Sequence, residues 1–426
     1  MDRPDACCVQ QEHKHEEASM ILAVTHALLM TLSLTQAPPP PPYEWNRYPL
    51  CEAVDPHRPS PGSLQARQRE IALAACKLPV DMISVADVDA GLNGHSLALV
   101  PDLENGSLTI LARHDDDASL GVLGTFRMPL TEIGAGRFAA RLRLADMDTA
   151  LMTVFLNADS PTVDTDPVVW RGPNAPELAP RLTELTGRVE HHEVFSQAHG
   201  ETRRVHVYLP PRHDLATGPY PVVFMADGAE TAHFAQQVEA AIEAGDLAPL
   251  IIVGVLSGPA GVVEDMSDFP VNLRAADYLA GWYEGEPRAE EHQRFFADEL
   301  TQWASEHFGA STQREDRAVL GFSNGASFAR DAGYRRGDKF GWVMAYSPGR
   351  GPIRTVEEID LPRARFRFAA GHYEPGFLLS SELTHNVLSE AGYDSRFTLF
   401  TTGHTRDVRD VVLADWLGEA FAPPSP

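Results

Sequence analysis

The 426-residue sequence predicts two architectures in series: a small all-β sandwich, then an α/β domain with a mostly parallel sheet wrapped by helices. Three observations carry this. Between about Asp81 and Val169, short runs of β-like composition recur between turn residues. From about Val189 onward, apolar runs alternate with segments of helical period. Within that second half, Leu250-Ile251-Ile252-Val253-Gly254-Val255-Leu256 is apolar throughout, as a central strand covered on both faces must be. The boundaries that follow are 1–42 for a leader and spacer, 43–175 for the β domain and 176–426 for the α/β domain.

The leader comes first. Met1 to Ser19 is polar and holds Cys7, Cys8 and the tract Glu12-His13-Lys14-His15-Glu16, which reads as a disordered tail. An apolar run from Met20 to Met30 follows, ending in Thr35-Gln36-Ala37 with small residues where a signal peptidase cuts. Segment 20–37 is therefore signal-like and predicts export to the periplasm or beyond, with no stable membrane span after processing. The leader is acidic and Lys14 is its only lysine, which fits translation starting at Met20. Pro38 to Pro42 makes a stiff spacer. Of the four cysteines, Cys51 and Cys76 would remain after processing, either as one disulfide or as two buried thiols.

In the β domain the expected strands are Ser96 to Val100, Leu108 to Arg113, Gly121 to Met128, Arg137 to Leu144 and Ala150 to Leu156. Phe138, Ala140, Leu142 and Leu144 alternate with Ala139, Arg141 and Arg143, the pattern of a strand with one wet face. Asn105-Gly106 and Gly134-Ala135-Gly136 mark turns. Trp170 to Pro176 reads as a linker. In the α/β domain, strands are expected at Arg204 to Leu209, Pro221 to Met225, Leu250 to Leu256, Trp342 to Tyr346, Arg365 to Ala369 and Phe397 to Phe400. Helices are expected at Thr231 to Ala244, Glu290 to Phe308, Leu378 to Ala391 and Val408 to Phe421.

Composition bounds the chemistry. Hydrophobic residues at 43% and charged residues at 22% suit a globular chain with a large core. A formal net charge of -25 argues against nucleic acid, whose phosphates call for a basic face.

Between the apolar run Arg317 to Leu320 and a helix-like segment stands Gly321-Phe322-Ser323-Asn324-Gly325. Strand, G-x-S-x-G and helix in that order form a nucleophile elbow, a tight turn that lifts a serine hydroxyl above the sheet. A serine at neutral pH needs a base, usually histidine, held by a carboxylate. Downstream lie His372, His385 and His404. His404 hangs in a loop after the last strand and is the candidate base; His372 competes, and His385 sits within a helix. Glu374 follows the penultimate strand and is the candidate acid, with Asp394, Glu382 and Asp407 as rivals.

The developing oxyanion needs donors. The backbone N–H of Asn324 is one candidate. Gly228 or Ala229, in the loop after Pro221 to Met225, is the other. The irregular segment Gly261 to Arg288 offers Met266, Phe269, Tyr278, Trp282 and Tyr283 as pocket residues. Asp227, Arg274, Tyr278 and Trp282 are the candidate substrate contacts, with His292 beside them. No metal or nucleotide cofactor is expected.

Val205 to Pro211, Phe224 to Glu230, Arg274 to Leu279, Phe295 to Leu300, Gly321 to Gly325 and Gly403-His404, taken together, resemble the putative-esterase family of α/β-hydrolases. That family includes enterochelin esterases, feruloyl and other carbohydrate-linked acyl esterases, and bacterial mycolyltransferases. The resemblance spans about Val189 to Phe421. More faintly, the N-terminal half is similar to the immunoglobulin-like sandwich that precedes the hydrolase domain in enterochelin esterases, with Trp170 to Ala175 as the junction. It implies a serine esterase acting through an acyl-enzyme on a small-molecule ester, with Ser323 as nucleophile and His404 as base. Transfer of the acid to Glu374 follows less directly, because its position varies in the family. An acyltransferase on the same fold, or a non-catalytic glycan- or siderophore-binding protein, are the alternatives.

Overall fold

The computed structural model describes residues 48–54, 60–114, 120–157, 166–215, 218–261, 272–283, 285 and 287–423. The leader with Cys7 and Cys8, the signal-like segment, the proline tract, Met266 and Phe269 lie outside the described residues. Among the described residues no helix is long and apolar enough to cross a membrane.

Among the described residues nine strands come first: β1 (Ala75–Leu78), β2 (Leu97–Asp102), β3 (Ser107–Arg113), β4 (Gly121–Gly124), β5 (Met128–Pro129), β6 (Thr131–Gly134), β7 (Arg137–Leu144), β8 (Leu151–Asn157) and β9 (Val168–Arg171). They make two antiparallel sheets, one in the order β1-β7-β3-β2 with β6 on β7, the other β5-β4-β8-β9. Leu108, Ile110, Phe138, Ala140 and Leu142 of the first meet Val122, Met152, Val154 and Leu156 of the second in one core. The period-2 pattern of β7 explains which side chains reach it. The opposite face is not wholly wet, because the helix Val85–Leu92 covers Ala139.

Three local expectations are corrected. Gly121 to Met128 is not one strand: β4 ends at Gly124, whose φ is +97° and where a Cβ would overlap the Thr153 carbonyl oxygen. Trp170 and Arg171 belong to β9, pairing with Met152 and Leu151, because the indole packs against the core. Glu290 to Phe308 is a helix in three parts, Arg288–Arg294, a π-helical stretch Phe295–Leu300 and Thr301–Phe308. The π stretch buries Phe295, Phe296, Ala297 and Leu300 together.

The second half is built on β10 (Arg188–Ser196), β11 (Glu201–Leu209), β12 (Val222–Ala226), β13 (Ile251–Pro259), β14 (Arg317–Phe322), β15 (Trp342–Tyr346), β16 (Arg365–Gly371) and β17 (Ser395–Phe400). Their order in the sheet is β10-β11-β13-β12-β14-β15-β16-β17. From β13 to β17 all pairs are parallel, whereas β10 and β11 form an antiparallel edge. Alternate residues of the apolar strands enter separate cores. Val222, Phe224, Val253 and Val319 pack under the helices Leu273–Tyr278 and Asn324–Arg335. Val223, Met225, Ile252 and Leu320 pack under Thr231–Ala244 and Asp407–Phe421. Each large apolar side chain so buried stabilises the fold by roughly 1.5–3 kcal/mol. Cys51 and Cys76 form a disulfide, which resolves the choice left open by the sequence.

Candidate active site

Ser323 stands between β14 and the helix Asn324–Arg335 at φ +59° and ψ -121°, a conformation that costs a non-glycine residue about 1–3 kcal/mol. Its neighbours make the turn possible. A Cβ on Gly321 would overlap the Gly325 carbonyl oxygen, and one on Gly325 would lie 2.9 Å from Ala226 Cβ. The Ser323 N–H donates to Tyr346 O at 2.9 Å, tying the turn to β15.

His404 Nε2 lies 3.0 Å from Ser323 Oγ. Its Nδ1 lies 2.6 Å from Glu374 Oε2. A carboxylate oxygen can only accept, so Nδ1 donates there and Nε2 is left to accept from the serine hydroxyl. Two aromatic rings hold the imidazole flat: Phe377 stacks on it at 3.9 Å between centroids and Phe322 at 4.7 Å. Glu374 is 0% exposed, and its Oε1 accepts from Ser347 Oγ and from Gly371 N–H, each at 2.5 Å.

The rival residues are engaged elsewhere. Asp394 pairs with Arg367 at 3.0 Å, Glu382 with Arg67 at 2.8 Å, and Asp407 accepts from Thr153 Oγ1 at 2.8 Å. Burial pushes the Asp407 carboxyl above the usual range. His372 faces Asp146, and His385 lies 3.0 Å from Ser395 Oγ.

A cavity of about 370 Å³ opens at Ser323, with Asp227, Ala229, Glu230, Arg274, Arg406 and Arg409 in its wall. Arg274 grips Asp227 with two hydrogen bonds, at 2.6 and 2.7 Å. Arg406 pairs with Glu230 at 2.8 Å. Three arginines facing two carboxylates make the wall polar and net cationic in a chain of formal charge -25. Ala229 lines this cavity beside Ser323; Gly228 does not, being packed where a Cβ would lie 2.5 Å from the backbone of Gly254. Asn324 opens its helix, where helix geometry leaves the N–H without an intrahelical acceptor.

Tyr278 and Trp282 lie outside the cavity wall. Tyr278 is buried beneath the loop, and its hydroxyl accepts from Asp227 N–H at 2.8 Å, supporting the left-handed Asp227 at φ +58°. Trp282 packs against the core. His292 is buried among Phe295, Phe296 and Phe328. Ser347, Phe377, Glu230, Arg406 and Arg409 carry no sequence signal that singles them out.

His199, Asp277 and His292 bring donor atoms within 4.8 Å of one another, close enough for a metal. The donor set does not fit one. Asp277 Oδ2 already accepts from Arg203 at 2.6 Å and from Gly258 N–H at 2.8 Å, and Oδ1 from Arg288 at 2.8 Å. A cation there would face two guanidinium groups. The cluster instead anchors the helix that carries Arg274 and Tyr278.

Residues 196–367 match the putative-esterase family. That match includes Ser323 and supports carboxylic ester hydrolase activity for the chain. No curated protein sequence matches it. Among solved structures it is similar to the enterochelin esterase of Shigella flexneri, at 13% identity over 77% of this chain and 96% of that one, with a TM-score of 0.57. It is similar also to the Shigella flexneri enterobactin esterase in the presence of enterobactin (15%, 80% and 99%, 0.56) and to the ferric enterobactin esterase of Salmonella typhimurium (14%, 78% and 98%, 0.55). At such identities the likeness is one of fold, an α/β-hydrolase-like arrangement.

Proposed function

We propose that the protein is a serine esterase that cleaves a carboxylic ester through an acyl-enzyme. The observation that carries this reading is the unbroken line from Ser323 Oγ through His404 to buried Glu374, with contacts of 3.0 and 2.6 Å. Ser323 Oγ attacks the carbonyl carbon while His404 Nε2 takes its proton. As the tetrahedral intermediate collapses, the same proton passes to the departing alkoxide. Water, deprotonated by His404, then attacks the acyl-enzyme and releases the acid and free Ser323. Glu374 orients the imidazole and stabilises its charged form. The N–H groups of Asn324 and Ala229 receive the oxyanion.

The antiparallel sheets of 43–175 are read as a sandwich domain ahead of the hydrolase domain at 176–426. The disulfide Cys51–Cys76 favours an oxidising compartment and so supports export. The neighbours named as enterobactin esterases point to a siderophore or another acyl ester as the substrate class, and the polar, arginine-lined cavity suits such a substrate.

A fluorophosphonate probe tests the reading. It should modify Ser323 in the folded protein and block turnover of a p-nitrophenyl ester, and Ser323→Ala should abolish both. Unmodified Ser323 with full turnover would defeat it. N-terminal sequencing of the mature protein tests export.

A further inference from the structure

The loops that carry His404 and Glu374 both rest on the antiparallel sheets of the other half of the chain. After β17, Thr401 O accepts from Leu151 N–H at 2.9 Å, and Thr401 Oγ1 lies 2.7 Å from Thr149 Oγ1. Gly403, next to the histidine, sits so close to Thr125 that a Cβ would overlap the Thr125 carbonyl oxygen. Thr125 is itself locked to Thr153, donating to its carbonyl at 2.8 Å and accepting from its N–H at 2.9 Å. Beyond the histidine, Thr153 Oγ1 donates to Asp407 Oδ2 at 2.8 Å, and the Asp407 N–H donates to Thr405 Oγ1 at 3.0 Å. His404 is thus flanked on both sides by contacts to β8 and the turn before it.

The carboxylate loop shows the same dependence. The Tyr373 ring belongs to the core of the antiparallel sheets, 5.9 Å from the Phe126 ring. Its hydroxyl donates to Ala145 O at 2.6 Å, and its carbonyl accepts from the buried Tyr48 hydroxyl at 2.9 Å. The two loops are joined, because Tyr373 N–H donates to Thr402 O at 2.8 Å. None of these groups touches the cavity at Ser323.

We propose that the antiparallel half is a positioning element for the reaction: Thr153, through Asp407, and Tyr48, through Tyr373, hold His404 and Glu374 in line with Ser323. The inference rests on the esterase reading above. A displacement of about 1 Å at reacting groups can cost on the order of a hundredfold in rate, so modest loosening is measurable. If these contacts only joined the two halves, their loss would lower the melting temperature and leave chemistry per active site unchanged.

Thr153→Val and Tyr48→Phe each delete one hydroxyl at nearly constant volume, and Thr153→Ser keeps the hydroxyl. Each full-length variant is assayed for kcat and KM with p-nitrophenyl acetate, normalised to Ser323 titrated by the fluorophosphonate, alongside its melting temperature. We expect kcat to fall about tenfold in Thr153→Val and in Tyr48→Phe with KM within about twofold. A fall confined to kcat per titrated Ser323 is a loss that a merely structural contact would not produce. Thr153→Ser should restore kcat. Wild-type kcat in folded Thr153→Val and Tyr48→Phe would overturn the inference alone, whatever their melting temperatures. Wild-type protein that neither turns over the ester nor takes the probe would overturn the esterase reading and this inference with it.

Discussion

Glu374 Oε2 lies 2.6 Å from His404 Nδ1, and no part of the glutamate side chain reaches solvent. The second oxygen accepts from Ser347 Oγ and Gly371 N–H, so the carboxylate is held from behind while it faces the imidazole. Glu374→Gln keeps the shape but can present an amide N–H to Nδ1. That favours the tautomer with the proton on Nε2, which cannot accept from Ser323. We expect kcat for a p-nitrophenyl ester to fall by about 10³–10⁴ while the melting temperature changes little. A loss below about tenfold would remove Glu374 from the acid role.

Arg274 holds Asp227 by two hydrogen bonds, and Asp227 leads directly into Gly228 and Ala229. Arg274→Met keeps much of the side-chain bulk but leaves a partly buried carboxylate without its guanidinium. The loop carrying Ala229 should lose its alignment and kcat should fall about 10- to 100-fold. The ratio of kcat in Arg274→Met to wild type, with an uncharged ester as substrate, measures this.

Gly325→Ala probes the crowding of the elbow. The new methyl would lie 2.9 Å from Ala226 Cβ and 3.0 Å from Asp227 Oδ2. Overpacking of this kind costs about 1–3 kcal/mol. Urea unfolding should show a lower midpoint at unchanged slope, and an unshifted midpoint would mean that β12 and the elbow can part without cost.

The disulfide closes a loop between residues 25 apart in sequence. Its removal by Cys51→Ala with Cys76→Ala should cost about 3 kcal/mol, chiefly by freeing the unfolded chain. Thermal melting of the double variant against the oxidised wild type is the measurement.

Burial lowers the ring pKa of His199, to about 4, and drives His292 well below the ordinary histidine value, with Arg203 beside both. Their folded-state values are depressed, so the unfolded chain binds more protons. The stability they contribute is present above the unfolded value of about 6.5 and is lost as pH falls toward about 4. The unfolding midpoint should drop across that window. His292→Phe, packed among Phe295, Phe296 and Phe328, should flatten the drop.

Much of the architecture was legible because its signals are local. Thr231 to Ala244 and Trp342 to Tyr346 begin and end where their composition changes, and the apolar run at 250–256 does lie inside the sheet. Period alone could not show that β4 stops at Gly124, or that Trp170 extends a sheet, since both depend on what the other chain segments bring alongside. Tyr278 shows the same limit within the site. Its aromatic character suggested a pocket wall, yet its hydroxyl supports Asp227 from below.

By itself the sequence determined the order of the elements, the strained glycine-flanked turn at Ser323 and the residue types that can pass a proton along a line. These follow from backbone sterics and side-chain chemistry, which act over a few residues. Only the tertiary structure brings His404, and not His372 or His385, to Ser323, and seats Glu374, and not Asp394, Glu382 or Asp407, against that imidazole. That juxtaposition turns on distances of about 3 Å between residues as many as 81 positions apart. It also decided that Thr125, Thr153 and Tyr48 lie behind the loops of His404 and Glu374, because close packing of separate segments leaves no trace in local composition.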